Sequence, residues 1–326
     1  MTLNSINIGI VGPGRVAKRF ANAIHLVEGL KLWSICSRQL VNAQEFANQY
    51  QYDAPEKIAV YDDFKKMLQD PNLHAIIITT PDKFHYRYAC EALEHGKHIL
   101  IEKPVCTEIS EGKRLEDIAS KTKCVVAIGY HLRWHPGLRL LAKKINTDGF
   151  GKIHHININW AHTFIEEASW RTSHETSKWW SKSTLTTHCL DIVRWLMLSK
   201  CGEVKNITGM TTNTNFGGND ENAILSLEFE YGATANIFTS ILFHTPFQIE
   251  VFGEKNHAKG LNLVSSTDKG ELYINNLPSE YSSPSNLYAC ELENFIDAIH
   301  KKRTVEVSLK EGLRNVELLI QSESTS

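Results

Sequence analysis

The order of the apolar runs restricts the fold of this chain more than any other sequence feature. Through residues 1–127, short apolar stretches alternate with segments of helical periodicity. The stretch from Ala75 to Thr79 is almost unbroken in apolar residues, which is typical of a parallel strand covered on both faces. Strand–helix alternation at this spacing predicts an α/β fold with a doubly wound parallel sheet.

The pattern changes in residues 128–326. Residues 156–160 alternate apolar side chains with asparagines, and residues 225–231 alternate apolar side chains with serine and glutamate. Period-two alternation marks strands with one buried face, which is typical of an antiparallel or mixed sheet. Residues 292–299 carry the apolar stripe of a late helix. We therefore predict a second α/β domain with an open, largely antiparallel sheet.

Charge and composition argue against several classes of protein. The 326 residues contain 35 Lys and Arg against 37 Asp and Glu, a net charge of −2, so no global basic field recruits nucleic acid. No apolar run approaches the roughly 20 residues needed to span a bilayer. The first residues lack the basic segment and apolar stretch of a secretory signal. We expect a cytoplasmic protein that contacts neither nucleic acid nor membrane.

Neither the cysteines nor the histidines predict a metal site. The seven cysteines are scattered and never spaced as Cys-x-x-Cys, which argues against a disulfide framework and a cysteine zinc site. His131 and His135 are four residues apart, but a metal site needs more ligands than this pair offers. No bound metal is predicted.

A glycine-rich turn connects the first predicted strand to the first predicted helix. The segment Gly12-Pro13-Gly14-Arg15-Val16-Ala17 has the spacing GxGxxA. Gly12 permits a tight turn, and Gly14 allows a pyrophosphate to approach the backbone. Arg15 and Val16 open the helix, whose N-terminus would face the phosphates. The turn predicts a dinucleotide site, with a purely structural glycine turn as the alternative.

The end of the second predicted strand indicates which dinucleotide binds. An NAD site usually has an acidic residue there, which holds the ribose hydroxyls. This chain has Ser37 and Arg38 instead, and a hydroxyl with a guanidinium suits a 2′-phosphate. We expect NADP(H) to be preferred over NAD(H), the alternative being that Arg38 is a solvated side chain after the strand.

Two further motifs follow predicted strands of the first domain. Thr80-Pro81 with His85 follows one strand, and Glu102-Lys103-Pro104 follows the next. The carboxyl ends of the strands form the edge at which open α/β sheets bind ligands. A lone Glu–Lys pair is usually a surface ion pair, whereas a lysine fixed at this edge by the following proline could reach a nicotinamide.

In combination, these motifs resemble the Gfo/Idh/MocA family of NAD(P)-dependent oxidoreductases, which act mainly on sugars, cyclitols and related alcohols. The resemblance extends over nearly the whole chain, through Gly129-Tyr130, Arg133, His135-Pro136, Trp170-Arg171 and His188-x-x-Asp191. It implies a Rossmann domain in residues 1–127 and a substrate-binding and oligomerisation domain in residues 128–326. It also implies a homodimer or homotetramer that associates through the open sheet face.

The resemblance implies roles for individual residues as well. Lys103 would lie beside the nicotinamide and the reacting carbon, and His188 would be a second acid/base residue in a metal-independent hydride transfer. Besides the glycine turn with Ser37 and Arg38, the implied cofactor contacts are Thr80, Pro81, His85, Glu102 and Lys103. The implied contacts to a sugar or polyol substrate are Tyr130, Arg133, Trp170, Arg171, Thr184 and His188.

One segment departs from the pattern common in the family. Lys178-Trp179-Trp180 replaces a glycine triplet, Thr184 replaces an aspartate four residues before His188, and Thr186 replaces a glycine. The two tryptophans could form a sugar-stacking wall or belong to the core or an interface. The departure implies either a different substrate or lost catalysis, so a non-catalytic NAD(P)-dependent sensor is the alternative to an enzyme.

Overall fold

The computed structural model describes residues 5–54, 56–163, 170–265, 268–283 and 285–323. The chain divides into two compact units. The first unit contains residues 1–129 and 288–314, and the second contains residues 130–287 and 315–326. The predicted division into 1–127 and 128–326 differs from this arrangement, because a late segment of the chain returns to the first unit.

The first unit is built on the strands β1 (Ile6–Val11), β2 (Leu30–Cys36), β3 (Ala59–Tyr61), β4 (Ala75–Ile78), β5 (His98–Glu102) and β6 (Val126–Gly129). They lie in the order β3-β2-β1-β4-β5-β6, and the described pairings are parallel. Every residue of β1 and β4 is buried, as expected of a sheet covered on both faces. The predicted doubly wound parallel sheet is confirmed.

In chain order, the described α-helices are α1 (Arg15–Ile24), α2 (Leu40–Tyr50), α3 (Phe64–Leu68), α4 (His85–Glu94), α5 (Ile109–Ser120), α6 (Pro136–Asn146), α7 (Thr187–Cys201), α8 (Leu287–Ile299) and α9 (Leu309–Gln321). Helix α1 forms because Ala17, Phe20 and Ile24 share one buried face at helical spacing. Among the described residues, no helix has the length and apolar character needed to cross a membrane.

The core of the first unit explains why the late helix α8 belongs to it. Leu292 and Phe295 are fully buried in the same cluster as Ile8 and Ile10 of β1. Tyr288 meets Phe20 of α1 edge to face, with 5.0 Å between the ring centroids. The predicted apolar stripe of this helix is therefore confirmed, although its partner lies far away in the sequence.

The second unit contains the strands β7 (Ile153–Ala161), β8 (Val204–Thr212), β9 (Asn222–Phe229), β10 (Thr234–Ser240), β11 (Thr245–Gly253), β12 (His257–Leu261), β13 (Glu271–Ile274) and β14 (Leu277–Pro278). They form one sheet in the order β14-β13-β12-β11-β7-β10-β9-β8. Among the described pairings of this sheet, β7 with β10 is parallel and the others are antiparallel. This confirms the predicted largely antiparallel sheet.

The predicted alternation in residues 225–231 is correct except at its end. Leu225, Leu227 and Phe229 of β9 are buried, and the residues between them are more exposed. The strand ends at Phe229, and Tyr231 is 66% exposed. The chain turns here because Gly232, at φ +83°, adopts a conformation that favours glycine.

His135 is the N-terminal cap of α6. Its Nδ1 accepts a hydrogen bond from the Gly137 backbone N–H at 3.2 Å, and Pro136 occupies the first helical position. The ring is fully buried, and burial lowers the pKa of His135 to about 4. A neutral His135 is therefore part of the folded structure, and its spacing from His131 needs no metal to explain it.

We predict that His135 makes the protein less stable in mild acid. Its folded pKa lies below the usual 6.5, so its stabilising effect is present above pH 6.5 and is lost as the pH falls toward 4. Urea unfolding at pH 7.5 and pH 5 should show a smaller loss in His135→Asn than in wild type, by roughly 1–2 kcal/mol. Asparagine can cap the helix without titrating. The exposed control His154→Asn should keep the wild-type loss, and an equal loss in His135→Asn would contradict the prediction.

Candidate active site

Gly12 joins the carboxyl ends of three strands in the first unit. It adopts φ +88°, and its N–H donates to the carbonyl oxygen of Cys36 at the end of β2, at 3.0 Å. A Cβ at this position would lie 2.8 Å from the backbone nitrogen of Thr80, just after β4. Both the backbone conformation and this close approach therefore require glycine.

Gly14 is required by neither of these constraints. It precedes α1 with φ −94° and ψ −164°, which other residues adopt easily, and among the described residues an added Cβ would contact only the Gly12 carbonyl oxygen, at 3.9 Å. The cap residue is a glycine, which has no side chain to accept from the helix N–H groups, and in the described part of the chain the first turn of α1 contains no acidic residue. This helix start, which includes Arg15 and Val16, can accept an anion against its backbone N–H groups.

Ser37 and Arg38 lie at the end of β2, as the sequence predicted for the dinucleotide-selecting position. The Ser37 hydroxyl accepts from the Gln39 backbone N–H at 3.4 Å, and the exposed Arg38 guanidinium lies 5.8 Å from the centre of the Phe84 ring. Burial, helped by the nearby carboxylates of Asp63 and Asp62, raises the pKa of the Cys36 thiol to about 12. Charges of both signs therefore lie near the end of β2.

His85 connects the loops that follow β4 and β5. It is 2% exposed, its Nδ1 lies 2.7 Å from the Pro104 carbonyl oxygen, and its Nε2 lies 2.8 Å from that of Thr80. Burial lowers the pKa of His85, and the nearby Lys103 charge lowers it further, while the two carbonyls oppose both effects. These contacts hold Thr80-Pro81 and Lys103-Pro104 together at one edge of the sheet.

The Glu102-Lys103-Pro104 motif is not the surface ion pair that a lone Glu–Lys pair suggests. Glu102 is 6% exposed, and its Oε2 accepts from the Lys103 backbone N–H at 3.2 Å. The Lys103–Pro104 peptide is cis, and Lys103 is half-buried. A Cβ on Gly129 would lie 3.2 Å from Glu102 Oε1, so the glycine at the end of β6 lets this carboxylate pack closely against the strand.

The first unit fits a bound dinucleotide on its own geometry. The Thr80 Oγ1 is buried and has no hydrogen-bond partner among the described residues, although it lies at the edge where ligands bind. Open space at Gly14 and the α1 N-terminus lie on the same glycine turn. The turn, Thr80 and Lys103 are the groups that would hold such a molecule.

In the second unit, His188 lies in the first turn of α7, directly after a π-helical turn at Lys182–Thr186. Tyr130 packs against His188 edge to face, with 5.9 Å between ring centroids. The Tyr130 hydroxyl is 2.6 Å from Thr187 Oγ1, and burial raises its pKa. Tyr130 is fully buried, so its contacts indicate that it supports the His188 ring. They indicate this role more directly than the predicted contact with substrate.

Arg133 forms an internal ion pair. Its Nε and a terminal nitrogen donate to both carboxylate oxygens of Asp191, at 2.8 and 2.6 Å, and both residues are buried. Asn315 Nδ2 also donates to Asp191, at 3.0 Å. These contacts indicate that Asp191, three residues after His188, anchors α7. They argue against the predicted contact of Arg133 with substrate.

Trp170 and Arg171 begin a short 3-10 turn and are half-buried, with the guanidinium 4.4 Å from the centre of the indole ring. Among the tryptophans of the departing segment, Trp179 is 2% and Trp180 1% exposed. Trp180 packs with Leu185 and Ile241. Of the two alternatives left open, the core position is the one observed for Trp180.

Two rings lie beside His188 that were not predicted as site residues from the sequence. The rings of His131 and Trp160 have centroids 5.1 and 6.3 Å from that of His188, and both residues are half-buried. His131 follows Tyr130 directly, and Trp160 stands near the end of the alternating strand β7. Position next to a motif and at a strand end was the available signal, but it does not distinguish these residues from core residues.

Two family models match the chain. The model described as an oxidoreductase family with an NAD-binding Rossmann fold matches residues 6–130. The model of the GFO/IDH/MocA C-terminal domain matches residues 138–259. The two matched segments therefore include the glycine turn, Lys103 and His188.

Two dehydrogenases and one solved structure are similar to this chain over nearly their whole length. A glucose-6-phosphate 3-dehydrogenase of Bacillus subtilis is 23% identical, with 96% of this chain and 94% of the relative covered. A myo-inositol 2-dehydrogenase of Thermotoga maritima is 22% identical, with 94% and 92% covered. The structure of an aldose-aldose oxidoreductase from Caulobacter crescentus, complexed with glycerol, has a TM-score of 0.89 at 19% identity over 98% of this chain and 97% of that one.

We predict that the two glycines of the turn fail differently when replaced by alanine. Gly14→Ala should unfold at nearly the wild-type temperature but bind NADPH and NADH at least about tenfold more weakly, because a pyrophosphate approaches the backbone closely at this glycine and a methyl group would obstruct that approach. Gly12→Ala should lose about 1–3 kcal/mol of stability through backbone strain and the contact with Thr80. Thermal unfolding and cofactor titration test both. Unchanged affinity in Gly14→Ala would show that no dinucleotide binds there.

Proposed function

Because the chain belongs to the GFO/IDH/MocA family of NAD(P)-dependent oxidoreductases, we propose that it transfers a hydride between NADP(H) and a secondary alcohol carbon, or the matching ketone, of a sugar, sugar derivative or cyclitol. The observation that carries this proposal is Lys103, half-buried at the carboxyl end of β5. Gly12 and Thr80 share that edge of the parallel sheet, so a lysine stands among the groups suited to a dinucleotide.

The chain's own residues supply proton transfer. When bound, the nicotinamide supplies or accepts the hydride. In reduction, the Lys103 ammonium donates a proton or hydrogen bond to the substrate carbonyl oxygen, and in oxidation Lys103 accepts the proton. His188 supports proton transfer or orients the substrate oxygen. Thr184 contributes a hydroxyl but no carboxylate that could hold a charge on His188.

Two kinds of observation support a polyol substrate. The named relatives are dehydrogenases of glucose-6-phosphate and myo-inositol, both polyhydroxylated rings. In the second unit, the half-buried rings of Trp160 and His131 beside His188 offer an apolar face and a polar nitrogen. An apolar face suits the C–H side of such a ring, and ring nitrogens suit its hydroxyls.

Association into a homodimer or homotetramer is part of the same proposal. Met210, Ile224 and Phe238 are directly paired across β8, β9 and β10, so they share one face of the sheet. Met210 and Ile224 are 56% and 39% exposed. A row of apolar side chains on this face supports the association that the resemblance implies.

Arg38 is the basis for the cofactor preference, and its removal should weaken NADPH binding selectively. Loss of one charge-assisted contact should cost about 1.5–3 kcal/mol, or roughly one to two decades of affinity, in Arg38→Ala. NADH affinity should hardly change, since NADH has no 2′-phosphate. Arg87→Ala on α4 is the matched control. Tighter binding of NADH than NADPH by wild type, or unchanged NADPH affinity in Arg38→Ala, would contradict the preference.

Lys103→Met should nearly abolish turnover while keeping the fold and most of the cofactor affinity. General acid/base assistance is worth about 10²–10⁴-fold, and the loss should be of that order. His188→Ala should slow turnover less severely, and the exposed control Lys113→Met should not slow it. Rates are followed by nicotinamide absorbance on the best substrate from a screen of sugars, cyclitols and their keto forms. Full activity in Lys103→Met would overturn the mechanism.

The variant Thr184→Asp separates two explanations of the threonine: adaptation of the enzyme to a particular substrate, and loss of catalysis. If threonine suits the native substrate, the added carboxylate should lower native activity. If the protein is instead a sensor, wild type should bind NADPH and turn over nothing in the screen. Turnover that rises above wild type in Thr184→Asp would contradict the adaptation.

A further inference from the structure

The π-helical turn Lys182–Thr186 is held by one buried carboxylate. Asp220 is 9% exposed and accepts from the backbone N–H groups of Trp180 and Lys182, at 2.9 and 2.7 Å. Its own carbonyl accepts from the Ser181 N–H at 2.9 Å. Because His188 follows this turn by two residues, the geometry of the turn sets the position of His188 in the first turn of α7.

The side chain of Lys182 brings a charge into the same place. It is 2% exposed, and its ammonium lies 3.2 Å from Ser322 Oγ and 3.6 Å from Glu323 Oε1. Burial lowers the pKa of Lys182, while the carboxylates of Glu323 and Asp220 oppose this effect. Trp179, at the start of the departing segment, donates its indole N–H to Glu323.

The turn also contacts the sheet of the second unit. Thr239 of β10 has its hydroxyl 2.9 Å from Ser181 Oγ and 2.6 Å from Thr186 Oγ1. The segment before His188 is therefore bound to β10 at Ser181 and Thr186, to Asp220 at its start, and through Lys182 to residues that follow α9. Of these groups, Glu323 is the carboxylate within ion-pair distance of the buried ammonium, whereas Asp220 binds backbone N–H groups.

We propose that Glu323 is a positioning residue for His188. Glu323 pairs with the ammonium of Lys182 and with the indole of Trp179. It therefore fixes two side chains at the start of the turn, where Asp220 binds the backbone N–H groups of Trp180 and Lys182. Without the Glu323 charge, the buried Lys182 ammonium loses its ion pair and shifts, and the turn that carries Thr184 and leads to His188 loosens. The inference rests on the proposed acid/base role of His188.

Glu323→Gln tests the charge with little change of shape, because the amide oxygen can still accept from Trp179. We expect kcat to fall roughly 5- to 50-fold, the size of effect that a small misplacement of a reacting group produces. NADPH affinity should stay as in wild type. In hydrogen exchange, the backbone N–H groups of Trp180 and Lys182 should exchange faster than in wild type. Glu228→Gln, which removes a glutamate from the exposed pair with Lys205, should change none of these quantities.

The double variant Lys182→Met/Glu323→Gln separates positioning from packing. Removing both charges leaves no buried ammonium without its ion pair, so kcat and amide protection should recover part of what Glu323→Gln loses. Additive losses in the double variant, or its failure to fold, would overturn the proposal, as would unchanged kcat and unchanged exchange in Glu323→Gln. A wild type that turns over no substrate would instead refute the proposed function, and the exchange measurements would still decide whether Glu323 holds the turn.

Discussion

The parallel direction of the six strands in the first unit is the constraint on which its site depends. When strands run parallel, the segments that follow them all emerge at one edge of the sheet. Here those segments carry Gly12, Thr80 and Lys103. They lie close together, because a Cβ on Gly12 would be 2.8 Å from the Thr80 backbone nitrogen and the His85 ring lies between the carbonyl oxygens of Thr80 and Pro104. Residues far apart in sequence form one site because each of them follows a strand and therefore lies at the carboxyl edge of the sheet.

The sequence predicted both sheets and the types of most elements, because hydrophobic period is set by burial on each strand and helix. It did not predict the return of α8 to the first unit. The apolar stripe with Leu292 and Phe295 predicts that the helix is buried on one side. The neighbouring sequence does not indicate which of the two sheets it packs against. The end of β9 was predicted two residues too late: the alternation continues to Tyr231, but the strand stops at Phe229 because the turn at Gly232 begins before the glycine itself.

For the site, motif spacing predicted the glycine turn and the sheet-edge lysine, since both follow from backbone geometry. It could not tell that Glu102 is buried beneath Gly129, or that Arg133 is already bound to Asp191. Charged residues have the same letter whether they face solvent, substrate or an internal partner. Only the three-dimensional contacts distinguish a guanidinium that anchors α7 from one that is available to a substrate.

The buried charges of the second unit give a physical reason for threonine at position 184. This residue is 9% exposed and lies on a turn that already contains the ammonium of Lys182 and binds the carboxylate of Asp220. Burial raises the pKa of Asp220 to about 6 even though two backbone N–H groups and Lys182 oppose the rise. A second carboxylate at position 184 would need its own desolvation, and the N–H groups of Trp180 and Lys182 are already bound to Asp220. Threonine keeps a hydroxyl one turn before His188 without that cost, so its presence and the Lys182–Asp220 network are two parts of one local solution.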